Sequence, residues 1–195
     1  MSMKRILTLL AISASLGSVQ AFAGSWADNV YVTADIGTGT YSASGYTGGG
    51  QTGVNSPTAT TERLAVGYAF NQYFATEVGY TNFGSATVTS NQPQLYAPDQ
   101  ISGDASYVAV VGSYPFNSSF SVFAKVGAAN DSLSVSAPGV AASASATNFM
   151  YGVGAKYNFT QQWSVHAEYD DMGKTTIGTG SMDLQAAMVG VGYTF

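Results

Sequence analysis

The chain has 195 residues, of which 46% are hydrophobic and only 9% are charged, and its formal net charge is −5. A soluble domain usually has about 25% charged residues, and six basic residues are too few for a nucleic-acid-binding protein. Because the chain has no cysteine, disulfide bonds and thiolate metal sites are excluded. The length favours one domain.

The N-terminus has the three parts of a secretory signal peptide. A basic pair lies at 4–5, an apolar stretch covers 6–16, and a small-x-small cleavage site lies at 21–23. The apolar stretch is shorter than the about 20 residues that a transmembrane helix needs. We therefore predict a cleaved signal peptide at 1–23, export from the cytoplasm, and a mature domain at 24–195.

The rest of the chain repeatedly alternates apolar side chains with small or polar ones, as a strand with one apolar face does. The alternating runs lie at 30–37, 63–70, 74–81, 107–114, 120–127, 148–157, 163–170 and 187–195. Their second face holds mostly Gly, Ala, Ser and Thr, which suits the filling of a narrow barrel. Eight strands are predicted.

The connections between these strands alternate in length. Short turns are expected at 71–72, 117–119 and 160–162, and long loops near 42–60, 84–105, 130–146 and 170–182. The long loops are rich in Gly, Ser, Ala and Asn and together carry most of the acidic residues. Short turns at one end and long loops at the other are typical of a transmembrane β-barrel. A soluble β-sandwich also has alternating strands, but its outward face would be charged. The sequence therefore favours an all-β, eight-stranded antiparallel up-and-down transmembrane barrel with short periplasmic turns and long extracellular loops.

Aromatic side chains flank every short turn. Rings with a polar tip favour the membrane–water interface. The predicted interface residues are Phe70, Tyr73, Phe74, Tyr114, Phe116, Phe120, Tyr157, Phe159, Trp163, Tyr193 and Phe195. A second, looser ring is expected near the long loops, at Tyr80, Phe149, Tyr151 and Tyr169.

Several short stretches resemble the small eight-stranded outer-membrane barrels typified by the membrane domain of outer-membrane protein A. They lie at 73–80, 114–116, 158–169 and 191–195, and the resemblance covers roughly 29–195. It implies a bacterial outer-membrane location and a C-terminal strand that the outer-membrane assembly machinery recognises. The soluble peptidoglycan-binding domain of the larger family members is not expected here.

A charged cluster is expected inside the barrel. It comprises Glu77, Lys125 and Glu168, which the resemblance implies, and Asp35, Arg63, Lys156 and His166, which the alternation adds. Three acids and three bases would then balance, as buried charges must if they are to stay ionised. The chain departs from the family pattern at Val111, where a lysine is expected, at Lys156, where an acid is expected, and at His166, where an arginine is expected. The ion pairs are therefore expected to be rearranged.

Four polar residues on one strand face suggest a hydrolase. They are Ser164, His166, Glu168 and Asp170. Same-face neighbours on a strand lie about 6.6 Å apart, whereas a nucleophile and its base must lie within about 3.2 Å. The glycine run at 48–50 lacks the lysine and the helix of a phosphate-binding loop, and the acidic loops lack the spacing of a calcium loop. No enzyme activity, catalytic residue, cofactor or metal site is expected.

Three functions remain open. The favoured one is a structural and surface-interaction scaffold that acts through its extracellular loops. The alternative is a narrow channel gated by Glu77, Lys125 and Glu168, although a lumen of eight strands is just wide enough for side chains to fill. A lipid-modifying enzyme is third. The expected partners are outer-membrane lipid and lipopolysaccharide, the assembly machinery and an unidentified surface ligand, and the barrel is expected to be a monomer.

Overall fold

The computed structural model describes residues 29–44, 57–88, 99–137, 140–177 and 180–195. The signal peptide at 1–23 and the glycine run at 48–50 lie outside these residues, so cleavage after Ala23 stays a prediction. The strands are β1 Val30–Ser44, β2 Thr58–Ala69, β3 Phe74–Val88, β4 Asp99–Pro115, β5 Phe120–Ala137, β6 Val140–Asn158, β7 Trp163–Ile177 and β8 Gly180–Thr194.

Each strand pairs antiparallel with the next one in the chain, and β8 pairs with β1 to close the barrel. The predicted eight-stranded up-and-down barrel is confirmed. A closed barrel has no edge strand that could pair with another chain. Within the described residues, no helix has the length and hydropathy needed to cross a membrane.

The strands are staggered around the barrel. When direct Cα partners are followed from Asp35 through β2, β3 and β4, they lead to Asp131 on β5. When they are followed the other way, through β8, β7 and β6, they lead to Ser121 on the same strand. This offset of ten residues requires strands that tilt against the barrel axis, by about 35–45° in outer-membrane barrels.

The outer wall is apolar around its whole circumference. Its exposed aliphatic side chains are Leu64, Val66, Val78, Val108, Val110, Val122, Val126, Val153, Val165, Val189 and Val191. The predicted interface rings lie outside at the short-turn end, with Phe70, Tyr114 and Phe116 each at least 60% exposed. Tyr193 stacks edge to face against Trp163, with ring centroids 4.9 Å apart. Exposing so much apolar surface to water would be unfavourable, whereas contact with the hydrocarbon chains of lipids costs no free energy.

The strands extend well beyond this apolar band. On β5 and β6 the outward positions become polar above Ala128 and Phe149, where Asn130 and Thr147 face each other across the strand pair. β6 has 19 residues, so it rises about 45 Å along the axis at a tilt near 40°, while the apolar band of such barrels is about 25 Å tall. The end opposite the short turns therefore projects out of the membrane.

Two of the segments predicted as long loops are mostly strand. In 130–146, β5 and β6 stay paired as far as Ala137 and Val140, and in 170–182, β7 and β8 stay paired as far as Ile177 and Gly180. The loop prediction is wrong there because Gly, Ser and Ala have low β-propensity, and pairing with neighbouring strands overrides that preference. The segments at 42–60 and 84–105 also begin and end in strand.

β3 and β7, which lie opposite each other in the barrel, each contain a β-bulge, at 82–85 and 171–174. Each bulge has one glycine with positive φ, 68° at Gly84 and 90° at Gly173. The side-chain oxygen of the first residue accepts a hydrogen bond from the glycine N–H, at 3.0 Å in β3 and 2.9 Å in β7. Both bulges bend the wall at the level where the barrel leaves the apolar band.

Candidate functional site

The lumen contains an ionic cluster centred on Arg63, which β2 directs inward. The Arg63 Nε atom donates to Asp35 Oδ2 at 3.0 Å, and Nη1 lies 2.6 Å from both Glu168 Oε1 and Asp170 Oδ2. All four side chains are fully buried. Because the two carboxylates on β7 share one guanidinium nitrogen, this arginine joins β1, β2 and β7 across the interior.

Lys125 extends the cluster toward β3. Its Nζ atom lies 2.6 Å from Glu77 Oε1 and 2.8 Å from Glu168 Oε1. Two tyrosine hydroxyls also donate to Glu77, Tyr107 to Oε1 at 2.7 Å and Tyr31 to Oε2 at 2.9 Å. Hydrogen bonds of this kind offset part of the free energy that burying a charge costs.

His166 belongs to the same cluster through Asp35. Its Nε2 atom is in hydrogen-bond contact with Asp35 Oδ1, so this carboxylate joins the imidazole to Arg63. Within the described residues, no hydrogen bond connects His166 with Ser164. A nucleophile and a base that do not touch give no hydrolytic centre.

The structure brings together six of the seven residues expected in the cluster. The exception is Lys156, which is partly exposed near the short-turn end, beside Ser121 and His166 in the sheet. None of the ion pairs in the described part of the chain includes Lys156. Its side chain therefore lies at the entrance of the lumen and not within the buried network.

The predicted balance of three acids and three bases is wrong, because Asp170 adds a fourth carboxylate. The alternation placed Asp170 on the inward face of β7, so the signal was present in the sequence. The contacts of Tyr31 and Tyr107 with Glu77 were not expected, because they depend on the stagger between strands that are distant in the chain.

The other half of the lumen is filled by apolar side chains, which we call the apolar plug. It comprises Tyr41, Phe83, Ile101, Leu133, Met150, Met172, Met182 and Leu184, all buried. The rings of Tyr41 and Phe83 pack edge to face with centroids 6.2 Å apart, and the Tyr41 hydroxyl donates to Gly84 O at 2.7 Å. Sequence reasoning missed the plug because half of its members lie in segments expected to be loops.

Residues 9–195 match the family model for the outer membrane protein beta-barrel domain. The chain belongs to this family. As an outer-membrane β-barrel domain it has its short turns in the periplasm, so the ionic cluster is on the periplasmic side and the apolar plug is extracellular. None of the curated proteins matches the chain.

Solved structures of other outer-membrane barrels share this fold. Neisserial surface protein A is 17% identical, with a TM-score of 0.62 over 85% of this chain and 97% of that one. OprG of Pseudomonas aeruginosa is 15% identical, with a TM-score of 0.60 over 86% and 96%. Ail, the attachment invasion locus protein of Yersinia pestis, is 17% identical, with a TM-score of 0.51 over 86% and 99%. At these low sequence identities, the structural similarity supports the fold of the beta-barrel domain and no particular function.

A small vestibule opens from the ionic cluster of this outer-membrane barrel toward the periplasm. Its volume is about 180 Å³, and Thr33, Ser113, Phe123, Lys156 and Ser164 are among its lining residues. Hydroxyls and a lysine are suited to hold water or a small ion. Among the described residues, no group of three or more His, Asp and Glu side chains could hold a metal ion.

Proposed function

We propose that this protein is a closed outer-membrane scaffold that interacts with its surroundings through the extracellular ends of its hairpins. The observation that carries the proposal is the double closure of the lumen. The ionic cluster occupies the periplasmic half, where Arg63 and Lys125 hold five strands together, and the apolar plug occupies the extracellular half. A lumen filled in both halves has the interior of a packed core and not of a pore.

The extracellular hairpins are well suited to present a binding surface. The β5–β6 and β7–β8 pairs stay hydrogen-bonded to the residues beside their tips, at Ala137–Val140 and Ile177–Gly180. A rigid hairpin presents its tip with little loss of conformational entropy on binding. Longer segments, 45–56 and 89–98, connect β1 with β2 and β3 with β4 in the chain.

The partners that we propose follow from the location of each surface. Outer-membrane lipid covers the apolar wall, and lipopolysaccharide is the neighbour of the polar outward face that begins at Asn130 and Thr147. The assembly machinery would recognise β8, in which Tyr193 lies near the end and packs against the ring of Phe195 just after the strand. We propose a monomer, since the closed sheet leaves no edge that needs a partner.

The excess of acidic residues disfavours an anionic surface ligand. One structure of Ail contains the heparin analogue sucrose octasulfate, a highly anionic molecule. The extracellular part of the present chain carries Asp99, Asp104, Asp171 and Asp183 against the single basic residue Lys174, so a sulfated sugar would be repelled. We propose a neutral or cationic surface ligand instead.

Exchange of the hairpin tips tests this function. Each of the segments 45–56, 89–98, 138–139 and 178–179 is replaced in turn by a Gly-Ser linker of equal length, and bacteria displaying each barrel are tested for adhesion to epithelial cells. We expect at least one exchange to reduce adhesion while heat-modifiable gel mobility shows a folded barrel. Equal adhesion by all four folded variants and by bacteria without the barrel would contradict the proposal.

A narrow channel is the second candidate, and the periplasmic vestibule favours it. Ions that enter the vestibule reach Glu77, Lys125 and Glu168, where exchange of ion-pair partners could open a path. The apolar plug would have to move as well, which makes this the less favoured function. A lipid-modifying activity has no such support, since no hydrogen bond among the described residues joins His166 to Ser164.

A further inference from the structure

We propose that the apolar plug is a pH-dependent closure of the extracellular lumen, tightest in acid, and that Asp131 is its sensor. Asp131 lies on β5 between Ala129 and Leu133, and all three residues are fully buried. It is outside the membrane-spanning band, because its neighbours Asn130 and Ser132 face outward among polar side chains. The proposal concerns the inside of the barrel, so it does not depend on what the hairpin tips bind.

The carboxyl group of Asp131 has hydrogen-bond partners on one side only. The Asn148 amide donates to Oδ2 at 2.7 Å and also reaches Thr175 Oγ1 at 3.3 Å. The other oxygen, Oδ1, is buried without a hydrogen-bond partner. A buried carboxylate with an unsatisfied oxygen is much less stable than the neutral acid in the same place.

The groups around Asp131 add no compensating positive charge. The negative charges of Asp104 of β4 and Asp171 of β7 both disfavour ionisation of Asp131. Lys174, on the other side of the β7 bulge, is 60% exposed and pairs with Asp183 of β8. Asn148 of β6 and Thr175 of β7 do not titrate.

From the far side of the lumen, β1 contributes only Tyr41 to the plug near this level. Burial raises the pKa of Tyr41 to about 12, so this side chain stays neutral between pH 5 and pH 8. Burial likewise raises the pKa of Asp131 to about 6. Asp131 is therefore the group within the plug that changes charge near neutral pH.

The direction of the pH effect follows from linkage. Because the folded barrel binds the Asp131 proton more tightly than the unfolded chain does, the stabilisation is present in acid and is lost as the pH rises through about 6. Each unit of pKa shift changes an equilibrium about tenfold. Between pH 5 and pH 8 we therefore expect the opening equilibrium of the plug to increase about tenfold, nearly all of it below pH 7.

Heat-modifiable gel mobility of the detergent-folded barrel tests the proposal. The unfolding temperature is measured from pH 5 to pH 8 for the wild type, for Asp131→Asn, and for Asp183→Asn as a matched control. We expect the wild type and the control to lose stability as the pH rises, and Asp131→Asn to lose much less and to be more stable than the wild type at pH 8. An identical pH dependence in all three proteins would overturn the proposal.

A direct titration keeps the test valid if Asp131→Asn fails to fold. The carboxyl ¹³C resonance of Asp131 in the wild-type barrel is followed from pH 4 to pH 8. A midpoint near 6 is the expected result. A midpoint near 4, the ordinary range of an aspartate, would overturn the proposal.

Discussion

The Oε1 atom of Glu168 lies 2.6 Å from Nη1 of Arg63, and both side chains are fully removed from solvent. The same Glu168 oxygen lies 2.8 Å from Lys125 Nζ. One carboxylate on β7 therefore joins cations from β2 and β5, which are well apart around the barrel. Loss of either partner leaves a charge without compensation in a place that water does not reach.

The first prediction concerns Arg63. Arg63→Met leaves three carboxylates facing one another, and breaking a buried ion pair in this way typically costs about 3–5 kcal/mol. We expect the free energy of unfolding in urea to fall by at least that much, or the barrel to fail to fold in detergent. The matched control is Lys174→Met, which removes an exposed pair with Asp183 and should cost at most about 1 kcal/mol. Equal losses in the two variants would contradict the account of the cluster.

The second prediction concerns the apolar plug. Leu133→Ala removes a fully buried side chain, and such truncations cost about 2–5 kcal/mol. Val108→Ala is the control, because Val108 is 54% exposed on the outer wall and its loss creates no cavity. Urea unfolding of both variants gives the comparison. A loss for Leu133→Ala no larger than that of the control would show that the plug is not packed.

The third prediction concerns the bulge in β3. Gly84 has a φ of 68°, and a Cβ there would lie 2.5 Å from the Thr60 carbonyl oxygen. Gly84→Ala should therefore lower the unfolding temperature clearly, since the left-handed conformation alone costs an alanine about 1–2 kcal/mol. Gly112→Ala is the control, because a Cβ at Gly112 meets no atom within 4 Å. An unchanged unfolding temperature for Gly84→Ala would mean that the bulge is not rigid.

The fourth prediction locates the boundary of the membrane. Val110 faces outward within the apolar band, whereas Ser132 faces outward among polar side chains. Val110→Arg should cost about 2–4 kcal/mol near the bilayer midplane, and Ser132→Arg should be close to neutral. The measurement is the free energy of folding into lipid vesicles. Similar costs for both substitutions would place Ser132 in hydrocarbon and contradict the projecting outer half.

The strand pattern of the periplasmic half could be predicted from sequence, because each run there alternates a large apolar residue with a small or polar one. Val108 and Val110, for example, face lipid while Ala109 faces the lumen. The extracellular half was harder to recognise. Leu133 alternates with Ser132 and Ser134, so the period of two continues, but the Ser- and Ala-rich composition favoured a loop.

The members of the ionic cluster were predictable one by one, since their position on the inward face follows from the period of a strand. Their pairing was not, because it depends on the ten-residue stagger that brings Arg63 to Glu168 and Lys125 to Glu77 across the lumen. Stagger is a property of the closed sheet. Local sequence therefore predicts which charges face inward, and only the closed barrel determines which of them meet.

Single-channel recording of the folded mature protein in a planar bilayer shows whether the lumen is closed. Unboiled gel mobility serves as the control for folding. We expect no steady conductance from the wild type at neutral pH, because the ionic cluster and the apolar plug both fill the lumen. A steady conductance that changes on Glu77→Gln or Lys125→Met would contradict the account and make this barrel a channel.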